Sequence, residues 1–410
     1  MHPRSTPSVE TWYGWVVIGA SLLIHTVSLA APTILFVVLK PLAAEFETPR
    51  AMVAMAYSLL MIGAGGGGVI MGLWMDRRGV FQPVLFGSCM VALGAFVASR
   101  ADSPLTLYLA TGVFMGLLGK AAMIAPLVAN ATRWFDRRRG LAVAIIASGQ
   151  GFAGALWPPI IHAVNSAWGW RETFMFFSLL ALVIMVPLTL VLRREPPAPP
   201  PAAATGRAGE DGRVLGLAPR AVQLMLWAAV VGCCTAMAVP IVHLVSHATD
   251  LGAAPRRAAE MLSLLFVAAF VSRIAFGMLA DRVGAMPTLL VGSACQAATL
   301  LLLAWVDTVA GLYVGALLFG LGFSGIMPCY ALILRNLFPV HQAGWRIASQ
   351  FLFGALGMAL GGWLGGAVYD LTGSYQYAFL AGAAFNVANL AIMSSLFLRA
   401  RRFAASPAAA

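Results

Sequence analysis

Charge is in short supply. Only 10% of the 410 residues are Asp, Glu, Lys or Arg, against about 25% in an ordinary soluble domain. With 60% hydrophobic residues and a mean hydropathy of +0.87, a chain this poor in polar surface is a membrane protein. Acids are the rarer sign, 15 against 26 basic residues. The net charge of +11 is not a nucleic-acid signature, because no basic stripe on a soluble module is there to receive a phosphate backbone. Cys89, Cys233, Cys234, Cys295 and Cys329 all lie inside apolar runs, with no spaced loop pair and no CxxC, so neither disulfides nor zinc are expected. Paired acids, a nucleophile constellation and a metal cluster are also missing. An enzyme therefore has no support, and no cofactor is expected.

Long apolar runs are what the chain has. A helix needs about 20 apolar residues to cross a bilayer. Such runs fall near 15–38, 51–75, 82–99, 105–130, 140–163 and 171–192, then near 221–247, 258–280, 286–305, 310–334, 345–369 and 376–398. The first follows Arg4 and passes through "SLAA", which resembles a signal peptide, but it continues to Val38 and reads as a membrane span. Between the two sets of six lies "RREPPAPPPAAATGRAGEDGR", 193–213, too polar and proline-rich to bury. The expected organisation is an all-α membrane protein: a six-helix bundle over 1–192, a cytoplasmic linker over 193–219, and a second bundle with a short tail over 220–410.

Eighteen of the 26 basic residues fall in segments on the side of the termini and six on the other. Cytoplasmic loops hold the excess of Lys and Arg, so both termini and the linker are expected there, in a plasma (inner) membrane. The two basic residues left over, Lys120 and Arg273, lie inside spans.

The halves repeat each other. "GLWMDRRGVFQPVL" at 72–85 matches "GMLADRVGAMPTLL" at 277–290, and "GWRETF" at 169–174 falls on "SYQYAF" at 374–379, both at an offset of 205 residues. Two stretches agreeing on one offset indicate a parallel duplication of six-helix halves, an arrangement used by a large class of transporters.

The repeated G-x-x-x-D-R-x-G, formed by Gly72, Asp76, Arg77 and Gly79 and again by Gly277, Asp281, Arg282 and Gly284, resembles the signature loop of the major facilitator superfamily. The glycines allow a tight turn and close helix approach. The aspartates can pair with neighbouring arginines in a latch that breaks when the halves rock. Within that superfamily, "RWFDRRRGLAVAIIASGQGFAG", 133–154, and "YGWVVIGA", 13–20, resemble segments of the monocarboxylate and oxalate/formate transporters. Glu10, Thr11 and Trp12 depart from the second pattern. The Gly-Pro-x-x-Gly-Gly motif of proton-driven drug exporters is absent from the fifth span, where "GFAGALWPP" stands.

Arg273 lies about 8 residues before Asp281, roughly 12 Å along a helix and so near the bilayer midplane. An arginine there costs about 2.5–3.5 kcal/mol on insertion scales. Either it snorkels or bonds backbone carbonyls, or it faces a wet cavity and holds a carboxylate. The resemblance implies the second, since an arginine in the eighth helix of that family does this and Arg273 is the matching position. Lys120, within "GLLGKAAM", is equally deep. Gly112 and Gly116 precede it at steps of four, giving a stripe small enough for a close neighbour or an open lumen. It is either a neutral, buried amine or a second cation.

No acid in the spans is available to pair with either residue, so the expected counter-ion is the cargo, a small organic anion. A short dicarboxylate suits two cations, and a monocarboxylate suits one. The family's oxalate/formate branch carries its second cation in the eleventh helix, where this chain has only Ser349 and Gln350; its monocarboxylate symporters carry an aspartate where Ala269 stands. His25, His243 and His247 are the remaining candidates for proton coupling. Tyr57, Gln150, Tyr330 and Gln350, with Asn130 and Cys329, can hydrogen-bond a substrate or join helices.

The expectation is a secondary transporter of small organic carboxylates working as a monomer in the bilayer, coupled to a proton or a counter-anion. A drug or metabolite exporter and a membrane metabolite sensor are the alternatives. The sensor is disfavoured by the shortness of the tails.

Overall fold

The computed structural model describes residues 10–123, 125–135, 138–195 and 214–404. Among these, twelve helices are long and apolar enough to span a membrane: α1 Trp12–Val37, α2 Arg50–Met75, α3 Phe81–Ser99, α4 Pro104–Ala131, α5 Leu141–Trp168 and α6 Trp170–Arg193, then α7 Pro219–Asp250, α8 Pro255–Val283, α9 Ala285–Trp305, α10 Val309–Leu337, α11 Trp345–Thr372 and α12 Tyr375–Phe403. They form two pseudo-symmetric six-helix bundles. Most of the linker, 196–213, lies outside the described residues.

The duplication is written into the helix ends. Ser103 and Thr308, 205 residues apart, are the N-caps of α4 and α10, and each side chain accepts a hydrogen bond from the backbone N–H three residues on, satisfying a donor the helix cannot. Gly79 and Gly284, the last glycines of the repeated motif, end the helical segments of α2 and α8 with φ of +75° and +91°. Only glycine takes that conformation without strain.

Small residues let neighbouring helices touch through their backbones. A Cβ added at Gly116 of α4 stands 2.7 Å from the Leu60 carbonyl oxygen of α2, and one at Gly112 stands 2.9 Å from Leu59 Cβ. The stripe before Lys120 therefore admits a close neighbour, α2.

The halves meet where α2 crosses α11 and where α5 crosses α8. Ser58 of α2 donates a hydrogen bond to the Ala359 carbonyl of α11 at 2.6 Å. On the other crossing, Gly151 and Gly154 of α5 face the rings of Phe270 and Phe266 on α8. A cluster of ion pairs ties the halves at the end remote from the termini. Lys40 and Arg50 of the first half hold Asp250 of the second. Among the described residues no ion pair joins the halves at the terminal end.

Candidate functional site

Between the halves lies a cavity of about 90 Å³ lined from α1, α2, α4 and α5 on one side and α7, α8 and α11 on the other. Its walls are mostly apolar, with Leu29, Pro32, Phe36, Ile241, Phe266 and Met358 among them; the polar groups are Thr33, Tyr57, Lys120 and Gln150.

Lys120 is placed there by a break in α4. The helix widens to π-type turns over Leu109–Gly119 and tightens to a 3-10 turn over Lys120–Ala122. Such mid-helix changes of register recur at functional sites. Among the described residues Lys120 makes no ion pair and no side-chain hydrogen bond.

Arg273 reaches from α8 across the interface to α5. Its Nη1 donates to the Ala147 carbonyl at 3.0 Å and its Nη2 to Gln150 Oε1 at 3.1 Å, while its Nε is buried with no acceptor. Both acceptors are neutral. Hydrogen bonds to a charged group contribute about 1.5–3 kcal/mol each, but neither neutralises the charge. Through Gln150 the arginine adjoins the cavity that Lys120 lines.

His25 of α1 is buried against α5, with Cδ2 and Thr26 Oγ1 each 3.1 Å from a Cβ added at Gly149. Among the described residues its Nδ1 has no hydrogen-bond partner. Tyr57 is also buried, edge-on to Phe36 at 5.1 Å between centroids. The structure therefore brings Lys120, Gln150, Tyr57, Arg273 and His25 to one region of the interface.

Four other candidates fall elsewhere. Tyr330 donates to Asn389 Oδ1 at 2.6 Å, and Asn389 bonds Ser293 and Asn386 in a buried network within the second half. Gln350 donates to the Leu226 carbonyl at 2.8 Å, joining α11 to α7. His243 Nε2 lies 2.8 Å from the Gly362 carbonyl oxygen, and His247 sits edge-on to Tyr375 and Phe379. These four serve contacts inside the second half, because α7, α10 and α11 turn those faces toward their own bundle.

The loop motif lies at the ends of α2 and α8. Arg77, Asp281 and Arg282 are exposed, and Asp281 makes no ion pair among the described residues; at an exposed helix end water competes for both charges. The side chain of Asp76 lies outside the described positions.

The tie at the opposite end was not foreseen. Lys40 Nζ bonds Asp250 Oδ1 at 2.7 Å and Thr249 Oγ1 at 2.9 Å. Arg50 lies over the Tyr369 ring, 3.9 Å from its centroid, and donates to the Tyr375 hydroxyl at 3.0 Å. Asp370 of α11 accepts from the backbone N–H groups of Arg50 and Ala51 at 3.0 and 2.8 Å, capping α2 where Pro49 offers no capping side chain. The signal was present: two of the few basic residues on that side, and acids at the ends of the seventh and eleventh spans.

The family model for the Major Facilitator Superfamily matches residues 21–241 and 224–410. Monocarboxylate transporter 13 of Bos taurus is 27% identical over 395 residues, covering 96% of this chain and 91% of that protein. Monocarboxylate transporter 4 of Rattus norvegicus is 26% identical over 408 residues, covering 96% and 85%. Among solved structures, a peptide transporter POT in complex with sulfate aligns with a TM-score of 0.73 at 14% identity, covering 95% of this chain and 94% of that one. A bacterial homologue of the human lysosomal transporter Spinster, in an inward-facing and occupied conformation, aligns with a TM-score of 0.71 at 14% identity, covering 96% and 98%. At those identities the solved structures speak to the fold alone.

Proposed function

The chain belongs to the major facilitator superfamily, a transporter related to the monocarboxylate transporters, and on that premise we propose that its cargo is a small organic carboxylate carried by alternating access. One observation carries the reading: Lys120 of one half lines the cavity, Arg273 of the other is hydrogen-bonded to Gln150 of the cavity wall, and among the described residues both meet only neutral protein groups. Closing a membrane protein over uncompensated cations is costly, and a carboxylate between them removes that cost. Arg273 is the carboxylate's anchor and Lys120 its second contact, with Gln150 and Tyr57 as hydrogen-bonding neighbours.

Moving one anion into a cell against an inside-negative potential costs about 2.3 kcal/mol per 100 mV, so uptake requires a proton or a counter-anion. His25, buried beside the site with an unpartnered Nδ1, is the residue we assign to proton coupling. The charge asymmetry supports cytoplasmic termini in the plasma membrane. The tied end, with Asp250 and Asp370, then faces outward. We take 1–192 and 220–410 as the rocking units, 193–219 as their linker, and one chain as sufficient for transport.

Reconstitution in liposomes tests this. Labelled lactate, oxalate and formate are offered with and without a pH gradient, to wild type and to Arg273→Ala. At least one acid is carried by wild type, and the variant loses roughly 10- to 100-fold in kcat/KM, the worth of one or two charged hydrogen bonds. A variant that carries every accepted acid at the original rate removes Arg273 from the site.

A further inference from the structure

The environment of Arg273 contains a further device. A guanidinium buried in a membrane protein needs acceptors, and here both come from α5 of the opposite half: the Ala147 carbonyl and the side-chain oxygen of Gln150. A carboxamide oxygen has nearly the geometry of one carboxylate oxygen and none of its charge. Gln150 also lines the cavity beside Lys120, so a carboxylate bound there lies next to the group that holds the guanidinium.

We propose that Gln150 is a neutral stand-in for the cargo's carboxylate, holding Arg273 across the interface when the carrier is unloaded and so letting it reorient without an anion. The proposal rests on the carboxylate reading and deepens it, because it concerns what the same site does between cargoes. A carboxylate makes a stronger, charge-assisted bond to the guanidinium than an amide does. An incoming substrate therefore displaces Gln150 Oε1 from Arg273, and the released amide can turn its Nε2 toward the substrate as a donor.

The consequence is a mode of transport. A carrier whose binding cations can be satisfied only by substrate must return loaded, and is confined to exchange. One that supplies its own acceptor for Arg273 lowers the cost of returning unloaded and so moves cargo net. Gln150 is thus a positioning residue whose effect appears in the balance between the two modes.

The experiment compares uptake of labelled lactate into empty proteoliposomes with uptake into proteoliposomes preloaded with unlabelled lactate. The ratio of the two rates is insensitive to the amount of folded protein. Gln150→Leu keeps much of the volume and removes the acceptor; its ratio of net uptake to exchange falls about tenfold or more below wild type. Gln150→Glu places a fixed acid on Arg273, competes with the cargo, and raises the KM for exchange about tenfold or more. An unchanged ratio in Gln150→Leu, or an unchanged KM in Gln150→Glu, overturns the stand-in role while leaving the carboxylate reading in place. Wild-type protein that moves neither lactate, oxalate nor formate in either mode overturns both.

Discussion

Arg50 of α2 and Asp250 of α7 form a two-point ion pair across the halves, Nη1 to Oδ2 at 2.5 Å and Nη2 to Oδ1 at 3.0 Å. Their side chains are only 15% and 24% exposed, so the pair is shielded from the hydration that makes surface salt bridges weak. Lys40, Tyr369, Tyr375 and Asp370 gather around it. Every one of these contacts except Tyr369 with Tyr375 joins one half to the other. This end of the interface must come apart if the halves rock.

Asp250→Ala is expected to shift the balance toward opening at this end by about tenfold, or about 1.4 kcal/mol. Arg50→Lys is expected to act in the same direction, because lysine reproduces neither the fork on the carboxylate nor the stacking on Tyr369. A cysteine placed at Thr33, which lines the cavity, reports the change through labelling by an impermeant thiol reagent from the side opposite the termini. Equal labelling with and without Asp250 rules out the latch.

Among the described residues Lys120 has no side-chain partner to lose, so Lys120→Met is expected to leave the free energy of unfolding within about 1 kcal/mol of wild type. Carboxylate binding is expected to weaken about tenfold, which appears as a smaller substrate-induced rise in unfolding temperature at a given concentration. Large destabilisation with undiminished binding assigns Lys120 to structure instead.

Two glycines separate contacts within a half from contacts between halves. A Cβ at Gly357 of α11 stands 2.6 Å from the Val231 carbonyl oxygen of α7, so Gly357→Ala is expected to cost about 1–3 kcal/mol of folding stability. At Gly154 of α5 the obstacle is the Phe266 ring on α8, which moves away when the halves part. Gly154→Ala is expected to change cavity accessibility more than unfolding temperature. Identical thermal losses for both, with accessibility unmoved, contradict the distinction.

Glu45 accepts hydrogen bonds from Arg171 and Trp170 at the start of α6. The Arg171 bond first, and the Trp170 bond next, hold its carboxyl below its ordinary value of 4.5. A depressed carboxyl stabilises the fold fully above that ordinary value and loses its contribution as pH falls through the folded-state value. Glu45→Gln is therefore expected to lower stability at neutral pH and to flatten the acid side of the unfolding-temperature profile. A profile parallel to wild type down to pH 3 goes against this role.

Twelve spans, their duplication and the two stray cations were legible from residue order, because a bilayer imposes simple demands on a chain. Each crossing requires a long apolar run, basic loops sort to one side, and a buried charge stands out against apolar neighbours. The signature loops were legible for a similar reason: Gly79 and Gly284 must adopt positive φ, which few other residues do.

Partnership across the fold was decided only in three dimensions. Tyr330 and Gln350 read as candidate ligands but are spent on Asn389 and on the Leu226 carbonyl, because which face a helix turns to the cavity depends on its rotation within its bundle. Arg273 meeting Gln150, residues 123 positions apart, and Arg50 meeting Asp250, residues 200 apart, depend on how one half sits against the other. Apolar periodicity along a single helix carries no record of that placement. It emerges from the packing of α2 on α11 and α5 on α8, where small residues admit close approach and charges find whatever lies opposite.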